Sequence, residues 1–269
     1  MIILDVGRCG LCHNSRKLVK SHLVPAAAYK PAQGLQVGTI GVTRRKALFT
    51  SKQVFAHFLC NDCEQRFHES GEDPVLRQSY RPDRQFKLRE LLQEAHPLDS
   101  RPQGTVYDVQ LLLGEMIESY LYFAASIFWR ASAHRWKLDR EWLDRVVLGP
   151  YQEPFRQYLL NEAPFPQHAR MYVFIAQEAQ PTRAVVPPCT SRIDNAHRHE
   201  FYIPGIHFVL VLGQLSPQYY DDAALNGSRG HLMWLCPWEN SALFRGMAAL
   251  IKTSTPVGNL HKWDEGRAR

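Results

Sequence analysis

The sequence predicts an α+β protein in two parts: a small cysteine-held module at the N-terminus and a larger α+β domain behind it. Three observations predict this. Two Cys-x2-Cys pairs, Cys9–Cys12 and Cys60–Cys63, frame the beginning of the 269-residue chain. From Thr105 onward apolar residues (Val106, Val109, Leu113, Met116, Ile117, Tyr120, Leu121, Ala124, Phe128) recur at three- and four-residue spacing, as on one side of a helix. Further on come strand-like runs, and helices followed by strands are the α+β order. The expected division is 1–70 for the module, 71–104 for a connector and 105–269 for the larger domain.

The elements follow in order. Residues 70–84 read as a loop, and Gln85–Ala95 as a short amphipathic helix with Phe86, Leu88, Leu91 and Leu92 on one side. His96–Gly104, with two prolines and a glycine, reads as a linker. The long helix from Thr105 should end near Arg135, and its apolar residues on several faces imply burial on more than one side. Asp139 can cap a second helix that stops at Gly149–Pro150. A third should run from Pro154 to before Pro164, since proline suits a first helical turn. Strands are expected at Met171–Ala176, Ala184–Val186, Phe201–Ile203, Ile206–Leu212 and His231–Cys236. A last helix is expected at Asn240–Ile251, with a frayed tail from Lys252.

Composition sets the class. The chain is 45% apolar and 22% charged, which excludes a disordered or collagen-like chain. Six cysteines are too few for a disulfide scaffold. The opening carries Asp5 where a secretory leader would be basic, and the longest uncharged apolar stretch, Ser119–Trp129, is shorter than the about 20 residues that span a bilayer. A soluble, cytoplasmic protein without membrane partners is expected, and in a reducing compartment close cysteine pairs favour metal over disulfides. No P-loop, GxGxxG or Gly-x-Ser-x-Gly is present, so nucleotide hydrolysis and serine-hydrolase chemistry have no support.

The charge is uneven. The formal net charge is +6, yet residues 1–60 carry nine lysines and arginines against a single acid, Asp5. A basic patch on one module is the footprint of a polyanion binder, or a solvated face on a small module. Arg16, Lys17 and Lys20 form one cluster and Arg44, Arg45 and Lys46 another. Both are candidates for phosphate contacts.

Zn²⁺ takes four ligands in a tetrahedron, and two Cys-x2-Cys turns supply four thiolates: Cys9, Cys12, Cys60 and Cys63. Gly10 sits inside the first turn, and the second runs into a helix start, Glu64–Glu69. A knuckle, β structure, then a knuckle at a helix N-terminus is the outline of a treble clef. The rival reading is two redox pairs or unrelated thiols. Cys189 and Cys236 stand alone and read as buried or half-buried free thiols.

Ser21-His22-Leu23-Val24-Pro25 follows the first knuckle, then Ala28-Tyr29-Lys30, then Leu59-Cys60-x2-Cys63-Glu64-x2-Phe67. This order resembles the HNH-type ββα-metal module, and more narrowly the bacterial HNH-endonuclease-like proteins, over about residues 7–70. The resemblance implies a divalent-metal-dependent nuclease that hydrolyses phosphodiester bonds of DNA. It implies His22 as the base that activates water, and Glu64, with His68 four residues on, holding Mg²⁺ or Mn²⁺ apart from the structural zinc. Two positions depart from the pattern. Ser21 stands where many such modules have an acid, and no asparagine lies between Asn14 and Asn61. The readings beside these are a structural His22, a helix-dipole role for Glu64, and a non-catalytic zinc module that binds nucleic acid or a partner protein. His57 lies in an apolar run and is expected half-buried. The larger domain is a candidate for docking a partner protein.

One further cluster draws notice. His197-Arg198-His199-Glu200 lies close to Asp194 and His207. Alternate residues on a strand share a face, which would allow a second metal site. A polar loop before the strand is the reading preferred.

Overall fold

The structure, a computed structural model, describes residues 6–33, 40–42, 46–50, 52–138, 141–193, 195–213, 223–228 and 230–262. Its first elements are β1 (Val6–Arg8), β2 (Ser15–His22), a 3₁₀ turn (Ala26–Ala32), β3 (Ile40–Val42), β4 (Lys46–Phe49), β5 (Phe55–Cys60) and α1 (Asn61–Phe67). A π-helical turn (His68–Glu72) leads into α2 (Asp73–Gln78), then α3 (Lys87–Glu94), β6 (Asp99–Arg101), β7 (Gly104–Asp108), α4 (Gln110–Leu113) and α5 (Met116–Ala133). There follow β8 (Lys137–Leu138), β9 (Glu141–Trp142), α6 (Gln152–Leu159), β10 (Ala169–Ala176), β11 (Val186–Ile193), β12 (Ala196–Ile203), β13 (Ile206–Leu212) and β14 (Leu232–Cys236). The last are α7 (Ala242–Thr253) and β15 (Thr255–Pro256). The fold is α+β, as expected.

Two sheets position the candidate sites. β1, β2 and β5 form an antiparallel three-stranded sheet in that order, and α1 leaves directly from the end of β5. A seven-stranded sheet runs β11-β12-β13-β10-β14-β7-β6, antiparallel except where β10 pairs with β14. Between them lies α5, buried at nearly every position from Ile117 to Ser132. One side packs Phe123 and Phe128 on Phe201 and Phe208 of the large sheet. Another sets Trp129 against Phe58 and Phe67 of the N-terminal part. A helix apolar on all faces is a buried helix. Through it one continuous core reaches from Cys9 and Leu11 to Leu243.

Several expectations are corrected. Residues 70–84 are helical in their first part. Gly71 makes that possible, because a Cβ there would lie 2.9 Å from the Phe123 backbone, so only glycine lets the π-helical turn lie against α5. The expected linker at 96–104 is a hairpin: Arg101 pairs with Gly104, which has φ 151°. Thr105–Asp108 is not the start of the long helix but a strand paired with β14. Val106 and Tyr107 are both buried, so period-2 alternation is lost and the run mimics a helix. The helix expected after Asp139 does not form: Glu141–Trp142 is a strand and 143–148 has no regular structure, while Asp139 itself lies outside the described residues. β11 covers 186–193 where a strand over Ala184–Val186 was expected. As far as residue 262 the tail is anchored, with Thr255–Pro256 pairing with Lys46–Ala47 and Leu260 buried. α6, β10, β13, β14 and α7 stand close to where they were expected. The Ser241 hydroxyl caps α7 by accepting from Phe244 N at 3.0 Å.

Candidate metal centre

The turn between β1 and β2 carries Cys9 and Cys12. It closes with Cys9 N donating to the Asn14 carbonyl at 2.9 Å and His13 N donating to the Cys9 carbonyl at 3.0 Å. Gly10 is required here by proximity: a Cβ would lie 2.1 Å from the Phe58 ring. Gly10 N donates to the Phe58 carbonyl at 3.0 Å, which fastens the turn to β5. Cys60 ends β5 and Cys63 falls in the first turn of α1, so a strand and a helix aim one thiol each at the same point.

The four sulfurs lie within 4.8 Å of one another, and Cys12 Sγ is 3.8 Å from Cys60 Sγ. With metal–sulfur bonds of about 2.3 Å, a regular tetrahedron places its sulfurs about 3.8 Å apart. The donor set therefore fits a tetrahedral thiolate site for an ion such as zinc. Cys60 N donates to Cys9 Sγ at 3.3 Å, a contact that favours a thiolate. A hydrogen bond from Cys63, with further ones from the backbone, pulls the Cys9 thiol down to about 4, while that bond and burial push Cys63 up.

Three arginines surround the cluster. Arg16 Nη1 donates to Asp62 at 3.0 Å, Arg66 lines the same shallow pocket as Cys12, Cys60 and Cys63, and Arg156 Nη1 donates to the Leu11 carbonyl at 2.8 Å. Arg16 is paired with Asp62 and Arg156 with Glu153 at 2.7 Å, so these two bring little net charge to the sulfurs. Arg156 belongs to α6 and Arg66 reaches the Leu160 carbonyl at 3.3 Å, so the larger part of the chain holds the centre from outside. Nothing in the local spacing announces Arg66 or Arg156. They come from tertiary packing.

His22 ends β2 opposite Phe55 and is half-buried. Burial, then Lys20 and Arg130, lower its imidazole from the ordinary value; Glu72 opposes them. Glu64 is half-buried on α1, and its Oε2 has no hydrogen-bond partner among the described residues. Burial raises its carboxyl, against the pull of the Arg130 guanidinium. Arg130 is wholly buried: it donates to the His22 carbonyl at 2.7 Å, pairs with Glu72, and lies over the Phe67 ring at 4.6 Å. Arg130 and Glu72, absent from the sequence reading, are what His22 and Glu64 share.

His68 is exposed, where Glu64 is half-buried. Among the described residues the four cysteines are the only group of three or more His, Cys, Asp or Glu with ligand atoms this close, so His22, Glu64 and His68 form no second cation group. His68 closes α1 with its N–H bonded back to the Glu64 carbonyl, so the i,i+4 relation the sequence suggested is kept up to the start of the π-helical turn.

Arg16, Lys17 and Lys20 are exposed along β2, with Lys20 Nζ 4.1 Å over the Phe55 ring. Lys46 lies 3.7 Å from Glu141. Arg44 and Arg45 lie outside the described residues. His57, expected half-buried, is exposed on β5. Cys189 and Cys236 are half-buried free thiols pushed up to about 12 by burial. His197–Glu200 is not a loop but part of β12. No helix among the described residues is long and apolar enough to cross a membrane. No family model, curated protein or solved structure matches the chain.

Proposed function

We propose that the β1–β2 turn, β5 and α1 form a zinc-held treble clef of HNH type, and that it binds nucleic acid. The observation that carries this reading is the spacing of the Cys9, Cys12, Cys60 and Cys63 sulfurs beside an exposed row of cations on β2. Zinc in such a closed site supplies folding energy rather than chemistry. Arg16, Lys17 and Lys20 then meet phosphates, and each contact releases counterions. Affinity for duplex DNA measured by fluorescence anisotropy should fall about 40-fold between about 50 and 200 mM salt if these three cations each meet a phosphate. Replacing Arg16, Lys17 and Lys20 by glutamine should weaken it and flatten the slope. An affinity indifferent to salt overturns the reading.

A second reading adds phosphodiester hydrolysis, and the juxtaposition of His22 and Glu64 around Arg130 favours it. A half-buried imidazole kept neutral accepts a proton from water, the task of a general base. Arg130 fixes the strand end that carries it. Among the described residues no separate group for Mg²⁺ or Mn²⁺ is assembled. Cleavage lost in His22→Ala with zinc content and DNA affinity unchanged supports hydrolysis. Uncut plasmid and single-stranded DNA, with Mg²⁺ and with Mn²⁺, leave binding alone.

A further inference from the structure

The outer face of the large sheet, opposite α5, carries a second buried polar constellation. Glu200 on β12 accepts from Arg198 Nη2 at 2.7 Å and pairs with His207 Nε2 on β13 at 3.0 Å. Glu200 and His207 are both buried. Such a network is costly to bury, so its position matters. It borders a cavity of about 400 Å³, the size of small-molecule sites. Phe174, Tyr202 and Trp238 give aromatic walls, and Arg198 and Arg245 bring cations.

Two facts indicate what would fit. Among the described residues no aspartate or glutamate lines the cavity, while two arginines do, Arg198 with one Nη already on Glu200 and Arg245 reaching in from the exposed side. The walls themselves are mostly apolar and aromatic, which suits a flat ring.

We propose that this cavity binds a small organic anion with a planar ring, its acid group held by Arg198 and Arg245. The site lies apart from the cysteine centre and does not depend on the reading of that centre. Isothermal titration of the full-length, zinc-loaded protein tests it with two ring acids, 2-naphthoate and adenosine 5′-monophosphate. Each is compared with a neutral counterpart, 2-naphthalenemethanol and adenosine. At least one acid should bind about 10-fold or more tighter than its counterpart, as a charge-assisted hydrogen bond predicts. The acid that binds tells carboxylate from phosphate ester. Arg245→Gln, at an exposed position, should weaken that binding about 3-fold or more. No binding of either acid at about 1 mM, equal binding of acid and neutral compound, or binding unchanged in Arg245→Gln overturns the proposal.

Discussion

The four-cysteine centre and the Arg198–Glu200–His207 network are both buried polar constellations, each held by two or more elements. They differ in how the sequence encodes them. In the first, each pair of ligands sits on one tight turn, Cys9–Cys12 or Cys60–Cys63, and spacing alone carries the chemistry. In the second, the partners come together through strand pairing, Tyr202 opposite His207, which places Glu200 and His207 on one face. A constellation built by register is invisible until the register is known.

Removing the metal from the first constellation should have the largest effect on the molecule. Binding energy at a structural zinc site is folding energy, of the order of 10 kcal/mol. Cys63→Ser should lose zinc by elemental analysis and lower the thermal midpoint sharply. The loss should reach beyond the module, because Cys9, Cys60 and Cys63 belong to the same core as α5. If only β1, β2 and α1 melt while the large sheet stays protected from hydrogen exchange, the two regions are independent.

Next comes the joint between them. Arg130→Met leaves Glu72 and the His22 carbonyl without their shared partner. Breaking a buried pair from one side costs about 3–5 kcal/mol, measurable in urea. Arg130→Met combined with Glu72→Gln should cost less than the single change if the stranded charge is the cause.

Gly10→Ala should cost about 1–3 kcal/mol, since its Cβ would overlap the Phe58 ring, and Phe58→Leu should restore part of it. Gly10 was legible in the sequence as a turn residue. The reason for it was not, because the ring comes from a strand 48 residues away.

Acid sharpens the comparison on the side of the large sheet. Burial holds the His199 imidazole at about 4, below its ordinary 6.5. Between these values the unfolded chain binds a proton that the folded protein refuses. Stability therefore falls as pH drops from about 6.5, and this contribution is lost below about 4. At roughly 1.4 kcal/mol per pH unit the loss is a few kcal/mol. His199→Gln, which can keep a bond to Thr190, should flatten this part of the pH profile in chemical denaturation.

Smallest is the rim of the metal centre. The Arg16–Asp62 pair is exposed on both sides, so Arg16→Gln should change stability by less than about 1 kcal/mol. The same change should still weaken nucleic-acid binding if β2 meets phosphate.

The elements that the sequence predicted well, α6, β10, β13 and α7, have strong periodicity or clear proline and serine signals at their ends. Those it missed are explained by packing. β6 and β7 looked like a linker and a helix start because both faces of β7 are covered and its hairpin turn holds Pro102 and Gly104. Ser70–Pro74 has loop composition but is helical because Gly71 packs on α5. At the candidate site the cysteines and His22 were legible. Arg66, Arg130 and Arg156 were not, since each acts on a residue far away in sequence.

Whether Cys9, Cys12, Cys60 and Cys63 hold one metal ion is decided by X-ray absorption at the zinc edge, with elemental analysis of protein purified without chelator. One zinc per chain with four sulfurs at about 2.3 Å is the expected result. Well-folded protein without zinc, or zinc bound by nitrogen and oxygen, would contradict it.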